Sequence, residues 1–459
     1  MNNLKYLSTC LVMAMMLSIT AQTSFTLDEA IAYGLKNSNQ VKLNQLNLLD
    51  ADAQLTQYKS IGYPKLNATI DYSHYFAIPT TIFPDFITPL IDNRLKHYNI
   101  LSQTDPIDVT GTPVKFGRSN TLNFGAGLNA IIYDPAFFQG LKASKLYKDL
   151  TTRQNAVTDL TIRESVSKAY LGALIITQNQ NVLNQNITNL DKMVKDTRTI
   201  QSKGFIEQID VDRLTLSLNS LKTEAEKLDN MYEMGLQLLK LQMGYPMNQS
   251  ITLTDQIAQL VDRMMIDQND LTNVYKPEQR PEFRYLQLAD ELNNIKIKSI
   301  KLGAYPSIGG FASYSYGTQS NNLFKKAETP WFPVAIAGFK LNLPIFDGFD
   351  RKSRLDRANI DASKLKLQMD DFTRGMDIQV KTARLQYENA KKTMASTKEN
   401  VDLAQKIYNQ AQAKFKGGVG STIEINQAEA SFLQAQSSYT NALYSLLLAK
   451  TDLNKALGK

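Results

Sequence analysis

Residues 351–416 read RKSRLDRANIDASKLKLQMDDFTRGMDIQVKTARLQYENAKKTMASTKENVDLAQKIYNQAQAKFK, without a Pro and with one interior Gly, Gly375. Apolar or small residues fall at Leu355, Ala358, Ala362, Leu365, Met369, Phe372 and Met376, then at Val380, Ala383, Tyr387, Ala390, Met394, Thr397, Val401, Ala404, Tyr408, Ala411 and Phe415. The steps alternate three and four, with one extra four at Phe372–Met376–Val380. A heptad stripe held over about nine repeats with one stutter predicts a single supercoiled helix packed along its length. At about 1.5 Å per residue it is on the order of 100 Å long, more than a compact globule needs.

The stripe stops at Gly417-Gly418-Val419-Gly420, where glycines supply the positive backbone angles of a tight reversal. Ser421-Thr422-Ile423-Glu424 then has the form of a capping box, in which Ser421 and Glu424 satisfy each other's backbone donors. A second helix is expected from there to about Leu457, folding the segment into a long antiparallel hairpin.

Upstream, the period changes to two. Leu66, Ala68, Ile70, Tyr72, His74 and Phe76 alternate with Lys65, Asn67, Thr69, Asp71, Ser73 and Tyr75. Leu122, Phe124, Ala126, Leu128, Ala130 and Ile132 alternate with Thr121, Asn123, Gly125, Gly127 and Asn129. An apolar face against a polar one over about twelve residues is what a tilted membrane strand needs, with lipid outside and water inside. A soluble sandwich strand gives the same pattern. The segment between these strands, about 78–118, shows no period and reads as a long surface loop.

The plan then occurs twice. Tyr63-Pro64 returns as Tyr305-Pro306, and Leu128-Asn129-x-x-Ile132-Tyr133-Asp134 returns as Leu341-Asn342-x-x-Ile345-Phe346-Asp347. Each copy reads helix, strand, loop, strand, long helix, turn, helix, which predicts an α+β fold with duplicated halves. The expected segments are a signal peptide over 1–21, a short helical arm over 22–62 and a strand hairpin with its long loop over 63–134. A long helix, turn and return helix follow over 135–243, then an equatorial segment over 244–280. The second half has its arm at 281–304, its hairpin at 305–347 and its helix, turn and return helix at 348–459.

The start, with Lys5, an apolar run from Leu7 to Ile19 and then Thr20-Ala21-Gln22, has the form of a secretory signal. Cys10 is the only cysteine, so cleavage near Ala21 would leave a chain without thiol chemistry. No later run approaches eighteen apolar residues, and membrane residence would have to come from strands. The charge of +7 is spread over 51 basic and 44 acidic residues without a basic block, which argues against nucleic acid. His74 and His97 are the only histidines, and there is no H-E-x-x-H or phosphate loop. The sequence therefore predicts no catalytic residues, no metal site, no cofactor and no enzyme.

Five local features resemble the TolC-type outer-membrane efflux protein family. They are Thr26-Leu27-Asp28-Glu29-Ala30, Arg280-Pro281-Glu282-Phe283, Tyr-Pro before each first strand, Leu343-Pro344-Ile345-Phe346-Asp347-Gly348, and Gly418-Val419-Gly420-Ser421-Thr422-Ile423-Glu424-Ile425. Four strands cannot close a membrane barrel, so two or three chains must share one. The resemblance implies three: a 12-stranded outer-membrane β-barrel, continued by an antiparallel α-helical coiled-coil tunnel into the periplasm of a Gram-negative cell. It implies an exit duct for small molecules or drugs, docked to a periplasmic adaptor (membrane fusion) protein and an inner-membrane RND-type or ABC-type pump. A type I protein secretion duct has the same design, and a periplasmic coiled-coil tether is the rival from another class.

On that resemblance, Gly204, Phe205, Gly418, Val419, Gly420 and Ser421 form tip turns that meet the adaptor. Glu424 and Asp210, with Asp212 nearby, are expected at the narrow periplasmic entrance, where Gln427 departs from the family's acidic pattern. Leu66, Ala68, Ile70, Leu122, Phe124, Leu128, Ile308, Leu341 and Ile345 are expected to face lipid.

Overall fold

A computed structural model describes residues 23–83, 87–100, 112–264, 275–322 and 330–459. The expected signal segment with Cys10 lies outside the described residues, as do parts of 78–118 and 244–280. In chain order the elements are β1 (Thr23–Phe25), α1 (Leu27–Asn37), α2 (Asn39–Ile61), β2 (Lys65–His74), β3 (Thr80–Phe83), α3 (Ile87–His97), β4 (Thr112–Lys115) and β5 (Asn120–Tyr133). There follow α4 (Pro135–Ser202), α5 (Gln208–Met243), β6 (Ile251–Leu253), α6 (Ile257–Arg263), α7 (Pro281–Leu302), β7 (Ser307–Ser320), β8 (Trp331–Asn342), α8 (Asp350–Lys416) and α9 (Thr422–Leu457). The chain divides into two units, one of residues up to Ala53 with Lys145–Asn294 and Asn359–Lys459, the other of Gln54–Ser144 with Ile295–Ala358.

The second unit is built on one antiparallel sheet in the order β2-β5-β7-β8. Its register aligns the apolar residues into rows: Leu66 opposite Leu128, Leu128 opposite Ala312, and Ala312 opposite Ala337. Ile70, Phe124, Tyr316 and Pro333 form another such row. Because side chains alternate with a period of two, this register brings an apolar row from each of the four strands onto one face, while Phe311 of β7 and Phe332, Val334 and Ile336 of β8 stand on the other. Trp331 stacks on Tyr316 and Phe124, with centroids 5.2 and 5.8 Å away. Leu66 and Ile70 stay 74% and 70% exposed, so none of the described residues covers that face there.

Two expectations need correction here. The segment 78–118 is not a featureless loop, because β3 pairs antiparallel with β4 and α3 lies between them in sequence. Four-residue strands are too short for alternation to register, and Pro113 hides the second of them; Pro89 in the first turn of α3 is compatible with a helix start. Ile345 does not belong to the last strand, which ends at Asn342. Pro344 cannot donate to a ladder, and Gly348 and Phe349, at φ of 61° and 66°, turn the chain into α8.

The first unit is helical. Its larger core joins α1, α4, α5, α6, α8 and α9 through residues such as Ala30, Val166, Leu239, Leu260, Val380 and Leu447. Asp255 ties its edges together by accepting from Leu27 N at 2.7 Å, with the Tyr170 hydroxyl 2.9 Å from the same oxygen. β1 and β6 pair in parallel beside them, Phe25 opposite Leu253. Arg280 is 2% exposed. Its Nη1 donates to the carbonyls of Lys455 and Ala456 in the last turn of α9, while Nε and Nη2 grip Glu282 at 2.9 and 2.6 Å.

Candidate functional site: the helix turns and the apolar sheet face

A smaller core closes the helical unit beside its two turns. Leu190, Met193 and Val194 of α4, Leu214 and Leu218 of α5, Tyr408 and Ala411 of α8, and Ile425, Ala428 and Phe432 of α9 are its buried members. The Tyr408 and Phe432 rings stack at 5.6 Å. This packing holds both turns at the end of one four-helix assembly.

At the first turn Gly204 takes φ 80° with open space where a Cβ would stand, and Phe205 is 78% exposed. At the second, Gly418 takes φ 75° and Val419 is 82% exposed. Gly420 is there for a different reason: a Cβ on it would lie 2.9 Å from Phe415 N and 3.0 Å from Lys414 Cβ. Ser421 caps α9, its Oγ accepting from Glu424 N at 3.2 Å. Two apolar side chains thus project from glycine-built reversals into solvent.

The expected capping box is only half formed. Glu424 does not return to the Ser421 backbone; its Oε1 accepts from Lys414 Nζ at 3.0 Å, across the turn. Thr26 and Glu29 show the complete box, with Thr26 N donating to Glu29 Oε2 at 2.8 Å and Glu29 N to Thr26 Oγ1 at 3.3 Å. Glu424 is drawn away because the last turn of α8 brings an ammonium within reach. Asp210 Oδ1 lies 3.8 Å from Arg213 Nη1, and Asp212 accepts from Gln208 Nε2 at 2.8 Å. Glu424, Gln427 and Asp212 are exposed, and Asp210 is half-buried. Each acid is met by a cation or an amide donor from its own hairpin, which lowers the negative field it projects.

Sequence reasoning missed Glu429. It is 5% exposed, and burial pushes its carboxyl up to about 7. Burial, then the Glu429 charge, raises the Tyr408 hydroxyl to about 12. Thr422 Oγ1 and Asn426 Oδ1, on the same stripe of α9, are buried without a hydrogen-bond partner among the described residues, as is Thr197 Oγ1 on α4. The spacing of 422, 426 and 429 is the signal that could have found this polar seam, because those positions fall on one face of a helix.

In the sheet, Leu66, Ala68, Ile70, Leu122, Phe124 and Leu128 lie in register on one face of β2 and β5, with Ile308 opposite Leu341 on β7 and β8. Only Ile345 of the nine expected residues falls outside the strands. No helix among the described residues is long and apolar enough to cross a membrane.

The comparisons with known proteins converge on this architecture. Residues 278–459 match the outer membrane efflux protein family. Nodulation protein T of Rhizobium leguminosarum bv. trifolii is 21% identical over 346 residues, spanning 74% of this chain and 72% of that protein. CusC, from a study of transmembrane channel formation, superposes with a TM-score of 0.70 at 14% identity, over 94% of this chain and 91% of its own. The outer membrane channel CmeC of Campylobacter jejuni gives 0.67 at 18% identity, over 94% and 85%. The outer membrane protein VceC of Vibrio cholerae gives 0.67 at 15%, over 94% and 96%. Residues 278–459 therefore belong to the outer membrane efflux protein family, and the chain as a whole carries the fold of outer membrane channels.

Proposed function

We propose that three copies of this chain form an outer-membrane exit duct that exports small molecules from a Gram-negative cell. The observation that carries the reading is the sheet: one face is apolar and open, and its edge strands β2 and β8 each pair on one side only among the described residues. Hydrocarbon tolerates neither unpaired edges nor a barrel of four strands, whereas twelve strands from three copies close one. In this reading the helical unit projects into the periplasm. Phe205 and Val419, at their turns, meet a periplasmic adaptor that links the duct to an inner-membrane pump. Glu424, Asp210 and Asp212 surround the entrance, where Lys414 moderates the charge of Glu424.

Protein secretion uses ducts of this kind too, and the pump selects the cargo; the neighbouring genes distinguish a proton-driven pump from an ATP-driven exporter. The duct is tested by spin labels at Ile70 and Thr69 in reconstituted protein. The label at Ile70 should be reached by lipid-soluble oxygen and that at Thr69 by a water-soluble nickel chelate. Ile70→Arg should cost about 2–4 kcal/mol if the residue lies at the bilayer midplane, and Thr69→Arg far less. Equal water exposure at both positions overturns the barrel and leaves the periplasmic tether.

A further inference from the structure

The sheet face opposite the apolar one is polar on β2 and β5 but not on β8. Phe332, Val334 and Ile336 stand there opposite Gly317, Ser315 and Ser313 of β7, and they are 61%, 59% and 56% exposed. β8 is thus apolar on both faces. The Phe311 ring extends the stripe, because it lies over Gly338, where an added Cβ would come within 2.9 Å of Phe311 Cζ.

Beyond Phe311 the same face opens into a concavity of about 490 Å³. Lys65, Asn129, Ile131, Phe311 and Lys340 line it, and Gly309, opposite Lys340, leaves room at its floor. Lys65 and Lys340 are exposed, and among the described residues neither is engaged in an ion pair or hydrogen bond through its side chain. Asp71, the acid of β2, stands at the far end of that strand, opposite Asn123. Two uncompensated ammonium groups therefore flank one end of an exposed apolar stripe. Water alone satisfies the lysines but not the stripe, and an apolar patch of this kind marks a ligand surface. The charge selects an anion and the stripe a tail.

We propose that this concavity binds a single-chain amphipathic carboxylate, its head between Lys65 and Lys340 and its tail along Phe311, Ile336 and Val334. The site is complete within one chain; that it faces a conduit, and so would take up cargo in transit, rests on the duct reading above. Exposed lysines act through a screened field, so binding should weaken as salt rises.

The test uses dansylundecanoate with the full protein in nanodiscs of neutral lipid, where partition into lipid is common to every variant and cancels in the comparison. The wild-type protein should bind the dye about tenfold more tightly than Lys65→Gln/Lys340→Gln. Val334→Thr/Ile336→Thr should weaken binding while keeping its salt dependence. Dansylamide, which lacks both tail and charge, should show no difference between proteins. Equal dansylundecanoate affinity in the wild type and the double lysine variant overturns the site. Ion conductance measured on the same preparations reports the duct separately. Lysine-dependent binding without current keeps the site and overturns the duct, whereas current without lysine-dependent binding does the reverse.

Discussion

The return helices α5 and α9 are each 36 residues long, as duplication requires, yet α5 buries seven side chains and α9 fourteen. The difference lies in the middle of each helix. α5 is buried near its two ends, at Val211, Leu214 and Leu218 and again at Leu236, Leu239 and Met243, and between them Met231 and Met234 are exposed. Both helices enter both cores, but α9 does so with more of its length, through Ile425, Ala428 and Phe432 in one and Leu443, Leu446, Leu447, Ala449, Leu453 and Ala456 in the other. A repeated pattern sets how long a helix is; its neighbours set how much of it leaves water. The caps diverge in the same sense. Ser421 accepts from the first turn of α9, whereas Glu207, at the same position of α5, makes no side-chain cap.

The largest test of this asymmetry is Arg280→Ala. It strips the end of α9 of its guanidinium and leaves Glu282 half-buried. Burial raises that carboxyl and the bonds from Arg280 outweigh it, so that it now titrates below its usual range. Removing one partner of such a buried pair should cost about 3–5 kcal/mol, read by denaturant unfolding. A loss no larger than that from an exposed arginine such as Arg354 would show that α9 is held by packing alone.

Glu429 sharpens the comparison through pH. Its proton is retained up to about 7 in the folded chain against an ordinary 4.5, so the native state binds more protons than the unfolded one. Stability should therefore be fully present below about pH 4.5, fall as pH rises to about 7, and level off above it. The loss is on the order of 3 kcal/mol. Glu429→Gln should remove this slope and melt higher than the wild type at pH 8. An unchanged pH profile would mean that Glu429 is hydrated or paired. α5 has no acid among its buried residues and should contribute no comparable slope.

The caps give the smallest effect. Ser421→Ala should cost about 1 kcal/mol, while Glu207→Ser, at a backbone already extended for capping (φ −81°, ψ 154°), should gain about 0.5–1 kcal/mol. Paired melting curves of the two variants decide it, and shifts of the same sign would remove the distinction between the turns.

Much of this was legible in the residues because it is periodic. The steps of three and four run to Phe415, and α8 ends at Lys416. The alternation around Ile70 and Phe124 predicts the face on which the register puts them opposite each other. What escaped reading depends on partners distant in sequence. The three-residue β1 is a strand only because Ile251–Leu253 lies beside it. Glu424 follows Lys414 instead of its own cap because a turn brings them together. Arg280 was visible as a motif, but its task required the end of α9, 175 positions away. The apolar second face of β8 breaks the alternation openly, and only the register shows which strand residues stand beside it.

Each repeat also closes on itself. Thr23–Phe25, at the start of the first, pairs with Ile251–Leu253 at its end, and Arg280, at the start of the second, holds Lys455 and Ala456 at its end. A unit whose two ends are neighbours can be copied head to tail with a short joint and no rerouting of the chain. In each half this nearness of the two ends is also the geometry that a tandem gene duplication would have needed in its single ancestor.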